Sequence, residues 1–136
     1  MQKESVRAFK YRLRTYLYTQ KEIIRIGERI EDLYDRLGGV RGVDPSHEPS
    51  HATPDKDAEW RMRDAISKLE LKRSALANEL KEIDSTLDKM DKLLKMAAID
   101  IYVKGYRTED VALTMFISSN GLHHRINKEL ERVLNG

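Results

Sequence analysis

The chain has no cysteine. Disulfides, thiolate metal ligands and thiol nucleophiles are excluded together, and a reducing compartment such as the cytoplasm is the natural setting. Proline is scarce and local: Pro45, Pro49 and Pro54 all fall between residues 38 and 56, so the stretches on either side lack the strongest helix breaker. No apolar run approaches the roughly 20 residues that span a bilayer. The opening residues, Met1 to Arg7, have no apolar signal core, so no membrane anchor is expected. An excess of one sign of charge is also nearly absent. A formal net charge of +2 is too small to imply a polyanionic partner, so the placement of charges has to decide the matter.

What the chain does have is periodicity. With 40% hydrophobic and 35% charged residues, it can bury a narrow core only if the apolar positions fall in stripes. From Val6 the sequence steps by threes and fours through Phe9, Leu13, Tyr16, Gln20, Ile23, Gly27, Ile30, Tyr34 and Leu37. Gln20 and Gly27 are soft spots, and Gly27 costs about 1 kcal/mol of helix stability relative to Ala unless a partner packs closely there. Gly38 and Gly39 are expected to end this helix. A second stripe runs without interruption through Met62, Ile66, Leu69, Arg73, Leu76, Leu80, Ile83, Leu87, Met90, Leu94, Ala97 and Ile101. Arg73 is its one polar member, and is read as a residue that sets register.

The expected fold is all-α, a long antiparallel, coiled-coil-like helical hairpin followed by a C-terminal helix-turn-helix. The expected boundaries are a first hairpin helix over 1–37, a flexible linker over 38–56, a long second helix over 57–103 and a terminal module over 104–136 that shares about residues 90–103. In such a hairpin Leu37 lies near Trp60, Val6 lies near Met90, and Trp60 with Met62 plugs the closed end.

The terminal module carries the functional reading. Gly105 can take positive φ and stop the preceding helix, Glu109 and Asp110 suit a first helical turn, and Val111, Ala112 and Met115 give an inward face. Phe116 and Ile117 form a turn, and Ser118 is a suitable N-cap for a final helix with Leu122, Ile126, Leu130 and Val133 or Leu134 buried. Ser119, Asn120, His123, His124, Arg125 and Lys128 face outward, and these residue types bond to base edges and phosphates. The first 21 residues hold Lys3, Arg7, Lys10, Arg12, Arg14 and Lys21 against the single acid Glu4. The hairpin brings this basic end beside the terminal module, with Arg7, Lys10 and Arg14 as phosphate-contacting candidates.

Along Tyr102-Val-Lys-Gly105, Glu109-Asp-Val-Ala112, Ile117-Ser118 and Leu130-Glu-Arg-Val-Leu134, the chain resembles sigma-70 region 4-like helix-turn-helix domains. Small phage regulators of the ArpU type, which place such a domain after an N-terminal helical region, are the particular likeness. The resemblance covers about 35 residues, and three positions depart from the pattern. Phe116 stands where the family usually has Gly in the turn, Gly121 sits inside the final helix, and Arg107 replaces the usual Ser or Thr cap. The resemblance implies DNA-binding transcriptional control of phage or prophage genes, with double-stranded DNA as partner. Because one recognition helix reads only a few base pairs and a two-helix hairpin leaves apolar surface uncovered, a homodimer with two hairpins in a four-helix arrangement is expected, and RNA polymerase is a further candidate partner.

The alternative reading is a coiled-coil interaction or structural protein that binds no nucleic acid. It is favoured by the near-neutral terminal module, in which five cations meet four carboxylates over residues 102–136. An enzyme is not expected, for want of a Gly-rich phosphate loop, a nucleophile with a nearby base, or a thiol. No cofactor and no metal are expected either. His47 and His51 have zinc-ligand spacing only on a helix, and they lie in the proline-rich stretch.

Overall fold

The computed structural model describes residues 4–41 and 56–136, and among them every regular element is helical. The fold is all-α. In chain order the elements are α1 (Val6–Arg14), α2 (Tyr16–Arg41), α3 (Lys56–Asp88), α4 (Lys92–Ala98), a π-helical segment (Ile99–Val103), α5 (Thr108–Thr114) and α6 (Ser119–Asn135). They form two compact units, one joining the residues up to Gln20 with Asn78–Gly136, the other running from Lys21 to Ala77.

The unit from Lys21 to Ala77 is built from the facing stripes of α2 and α3. Ile26, Ile30, Leu33, Leu37 and Ile66 are buried, and Met62, Ala65, Leu69 and Leu76 pack against them. Tyr34 pairs with Glu70 and Gly27 lies by Arg73, so the two helices run antiparallel. The expected stripe needs correction in its second half: Leu33 points inward, while Tyr34 is half-exposed and its hydroxyl donates to Glu70 at 3.4 Å. Gly27 and Arg73, one anomaly from each stripe, meet each other. The Arg73 guanidinium lies 3.6 Å from where a Cβ on residue 27 would stand, an ordinary van der Waals contact. Trp60 does not plug an end of this core, being 66% exposed, whereas Met62 does pack against it.

The first expected helix, over 1–37, is divided at Thr15. The Thr15 hydroxyl bonds back to the carbonyls of Tyr11 and Arg12, each at 3.2 Å, a back-bonding pattern that bends helices. Gly38 and Gly39 do not end the helix, which runs to Arg41. Of the expected linker over 38–56, residues 42–55, including His47 and His51, lie outside the described residues.

The expected continuous helix over 57–103 is likewise corrected, because α3 stops at Asp88 and a new helix starts after Asp91. Asp91 is the N-cap, its carboxylate accepting from the Leu94 N–H at 3.3 Å. The interruption is held from outside by α6. Glu129 accepts the Asp91 backbone N–H at 2.9 Å, and Arg132 donates both to Glu129 and to the Lys89 carbonyl, the latter at 3.1 Å. These contacts hold the Glu129 carboxyl below its usual range, the Arg132 bond being the largest cause and the Asp91 N–H the next. Arg132 and Asp91 thereby satisfy backbone groups that a helix end leaves open.

The core of the unit joining the termini gathers Phe9 and Leu13 of α1, Ile83, Leu87 and Met90 at the end of α3, Ala97 and Ala98 of α4, and Tyr102 of the π-helical segment. It continues through Val111 and Ala112 of α5 to Leu122, Ile126, Leu130 and Val133 of α6. Val6 packs on the core that also holds Met90. Arg12 ties α1 to the end of α3 through Glu82 at 3.1 Å and Glu79 at 3.8 Å, and also pairs with Glu4 at 2.8 Å. No described helix is long and apolar enough to cross a membrane.

Candidate functional site

The chain leaves the π-helical segment through Gly105, whose φ of +80° is readily adopted only by a residue without a Cβ. Thr108 opens α5 with Glu109 and Asp110 in its first turn, where the helix dipole favours carboxylates. Val111 and Ala112 are buried. Met115, Phe116 and Ile117 then reverse the chain, the Ile117 N–H bonding to the Ala112 carbonyl at 3.1 Å. Phe116 has φ of +59° and is 95% exposed, so the turn keeps the left-handed backbone that glycine favours, with a phenylalanine in the position.

Ser118 caps α6, its hydroxyl accepting from the Gly121 N–H at 3.0 Å. A Cβ on residue 121 would stand 3.0 Å from that same hydroxyl oxygen, so the glycine inside α6 leaves room for the cap. Leu122, Ile126 and Leu130 are fully buried and Val133 nearly so. Since successive helical residues turn by about 100°, burial of these four sends Asn120, His124 and Lys128 to the opposite side of α6. Asn120, His123, His124, Arg125 and Lys128 are exposed, and Ser119 is half-buried. Arg125 and Lys128 make no ion pair among the described residues, and neither histidine is engaged in a hydrogen bond there. No group of three His, Asp or Glu among the described residues could hold a metal ion.

Against one side of α6 lies α1. The three basic candidates on this helix have different surroundings. Arg7 and Arg14 are exposed and form no ion pair with a described carboxylate. Lys10 is 9% exposed, its ammonium donates to Asn127 Oδ1 of α6, and it stands 5.1 Å from the centroid of the Tyr102 ring. Arg14 approaches the same ring at 5.5 Å. Burial, and then the charge of Arg14, lower the Lys10 pKa from its ordinary value, and burial raises that of the Tyr102 hydroxyl. Lys10 is therefore a buried link between α1 and α6 rather than a freely reaching surface cation. The π-helical segment places Tyr102 for this role; the sequence stripe points to Ile101, but Tyr102 is the more buried of the two.

The arrangement thus offers a helix, a tight turn and a second helix. The second helix presents an amide, imidazoles and unpaired cations outward, flanked by a basic face of α1. Comparison with family models, with characterised proteins and with solved structures gives no match.

Proposed function

We propose that the chain is a DNA-binding transcriptional regulator that reads double-stranded DNA with α6. The observation that carries the reading is the outward row of α6, Asn120, His124, Arg125 and Lys128, set on a helix whose other side is locked into the core through Leu122, Ile126 and Leu130. A rigid helix with unpaired donors fits the major groove, and α5 with its turn fixes the angle at which that helix is presented. Asn120, His123 and His124 would read base edges, Ser119 would add a contact at the helix start, and Arg125 and Lys128 would meet phosphates. Arg7 and Arg14 extend that phosphate-contacting surface. The resemblance to sigma-70 region 4-like proteins and ArpU-type phage regulators supports the reading, and the left-handed turn at Phe116 keeps a backbone that the family's glycine would take.

One reading helix spans only a few base pairs, so the proposal includes a homodimer. The unit from Lys21 to Ala77 leaves Ile24, Trp60 and Leu71 exposed. Trp60 and Leu71 are eleven residues apart on α3, within about 20° of one another around the helix, and with Asp64 and Ser67 between them they offer two apolar anchors on one side of α3 to a second copy.

The interaction-only reading has its own support in Leu93, Met96, Leu113 and Phe116, all exposed, of which Leu93 and Met96 line a groove with Val111 and Met115 between α4 and α5. RNA polymerase is a further candidate partner, docking on the hairpin while the terminal module contacts the promoter.

Binding of a fluorescent duplex, measured as a function of salt, tests the α6 reading. The Arg125→Ala, Lys128→Ala variant should bind more weakly and flatten the plot of log affinity against log salt by about two units, roughly one for each phosphate no longer neutralised. Unchanged affinity and slope in the folded variant would contradict it.

A further inference from the structure

Cations on α1 are sorted by face. Arg12 is neutralised by Glu4, Glu79 and Glu82. Arg7, Lys10 and Arg14, spaced three and four residues apart, share a different face and have no carboxylate within ion-pair distance among the described residues. That face forms one wall of an open groove of about 420 Å³ whose lining is completed by Val6 of α1 and by Asn127 and Glu131 of α6. Two of the three cations converge on the Tyr102 ring, so like charges are gathered where each raises the cost of the other. One of them, Lys10, is nearly buried along its stem, and its ammonium meets an amide oxygen rather than a carboxylate, so its charge has no counter-ion among the described residues.

We propose that this groove seats a single phosphate group, with Arg7, Lys10 and Arg14 as its charged donors. Lys10 has three ammonium donors and spends one on Asn127 Oδ1. Because the Asn127 oxygen is taken by Lys10, its –NH2 end is the part left to donate to an anion. The depressed Lys10 pKa agrees with a cation that lacks its counter-charge. Glu131 is the one carboxylate lining the groove, and it opposes the anion. It makes no ion pair with the three cations, which leaves them to the ligand.

Under the DNA-binding reading, on which the choice of source rests, the phosphate is a backbone phosphodiester beside α6. Free inorganic phosphate tests the seat without that assumption. The experiment is an NMR titration of the isotope-labelled full chain, following the Asn127 side-chain amide and Tyr102. The ligands are sodium phosphate against sodium chloride at equal ionic strength, then a short random-sequence duplex.

The expected result is a saturable shift with phosphate and with the duplex, but not with chloride. Arg14→Gln, at an exposed position, should weaken phosphate binding several-fold. Glu131→Gln should tighten it by about two- to five-fold, as removal of one exposed opposing charge does, and a tightening cannot arise from misfolding. Shifts that follow ionic strength alone, or variants that bind phosphate as the wild type does, would overturn the seat. Duplex binding that leaves Asn127 and Tyr102 unmoved would overturn the backbone phosphodiester as the occupant of the seat while the α6 reading stands. Saturable phosphate binding without duplex binding would uphold the seat, make free phosphate its source and refute the DNA-binding reading.

Discussion

Phe116 carries two costs at once, a left-handed backbone and a nearly complete exposure of its ring. Left-handed φ costs an L-residue roughly 1–2 kcal/mol, and glycine, which avoids that cost, loses about 0.5–1 kcal/mol in chain entropy. Phe116→Gly should therefore stabilise the protein by about 0.5–1 kcal/mol, read as a raised urea midpoint at unchanged slope. A lowered midpoint would mean that the ring contributes to the fold. A buried cation shows the opposite case, of a residue whose sequence signal misleads. Lys10 stands among basic neighbours like any surface lysine, yet it is nearly buried between Asn127 and Tyr102. Nothing local marks this, because the partners are 117 and 92 residues away along the chain. Arg12, equally basic in sequence, is committed to three carboxylates.

At the scale of the elements, the apolar stripe of α3 and α4 is continuous while the helix is not. Every position from Met62 to Ile101 in the three-four pattern is buried or half-buried, and for that reason the pattern hides the end at Asp88. The local signal is Asp91 ahead of Lys92-Leu93-Leu94, an N-cap residue before a short apolar run. Alone it cannot end a helix; Glu129 and Arg132 of α6 complete the break. The short elements read more clearly, because chemistry rather than periodicity marks them. Gly105 and Ser118 stand at the boundaries that their types suggest, whereas Arg107 rather than Thr108 is the N-cap of α5 and makes no side-chain cap bond; Leu122, Ile126, Leu130 and Val133 are buried as their spacing requires. The exposed face of α6 follows from the same spacing, whereas the burial of Tyr102 depends on the π-helical segment, for which the stripe gives no signal. Gly27 is the element-scale test. Since a methyl group would only touch Arg73 at ordinary contact distance, Gly27→Ala should stabilise α2 by about 1 kcal/mol in urea unfolding. Destabilisation would show instead that Arg73 cannot yield and that the glycine is required for packing.

For the whole molecule, charge placement outweighs net charge. The +2 total conceals two different surfaces of the unit that joins the termini. Around Arg12 one cation meets three carboxylates, whereas along α6 and the facing side of α1, Arg125, Lys128, Arg7 and Arg14 remain without ion pairs among the described residues. Association with DNA is the role that this separation supports, and a second copy would supply the second reading helix. The central claim is best tested by selecting bound duplexes from a random DNA library at physiological salt, with the Arg125→Ala, Lys128→Ala protein in parallel. The account predicts enrichment of one motif, repeated with two-fold symmetry by a dimer and lost in the double variant. Failure of the folded wild-type protein to enrich any sequence would contradict it and favour the interaction-only reading.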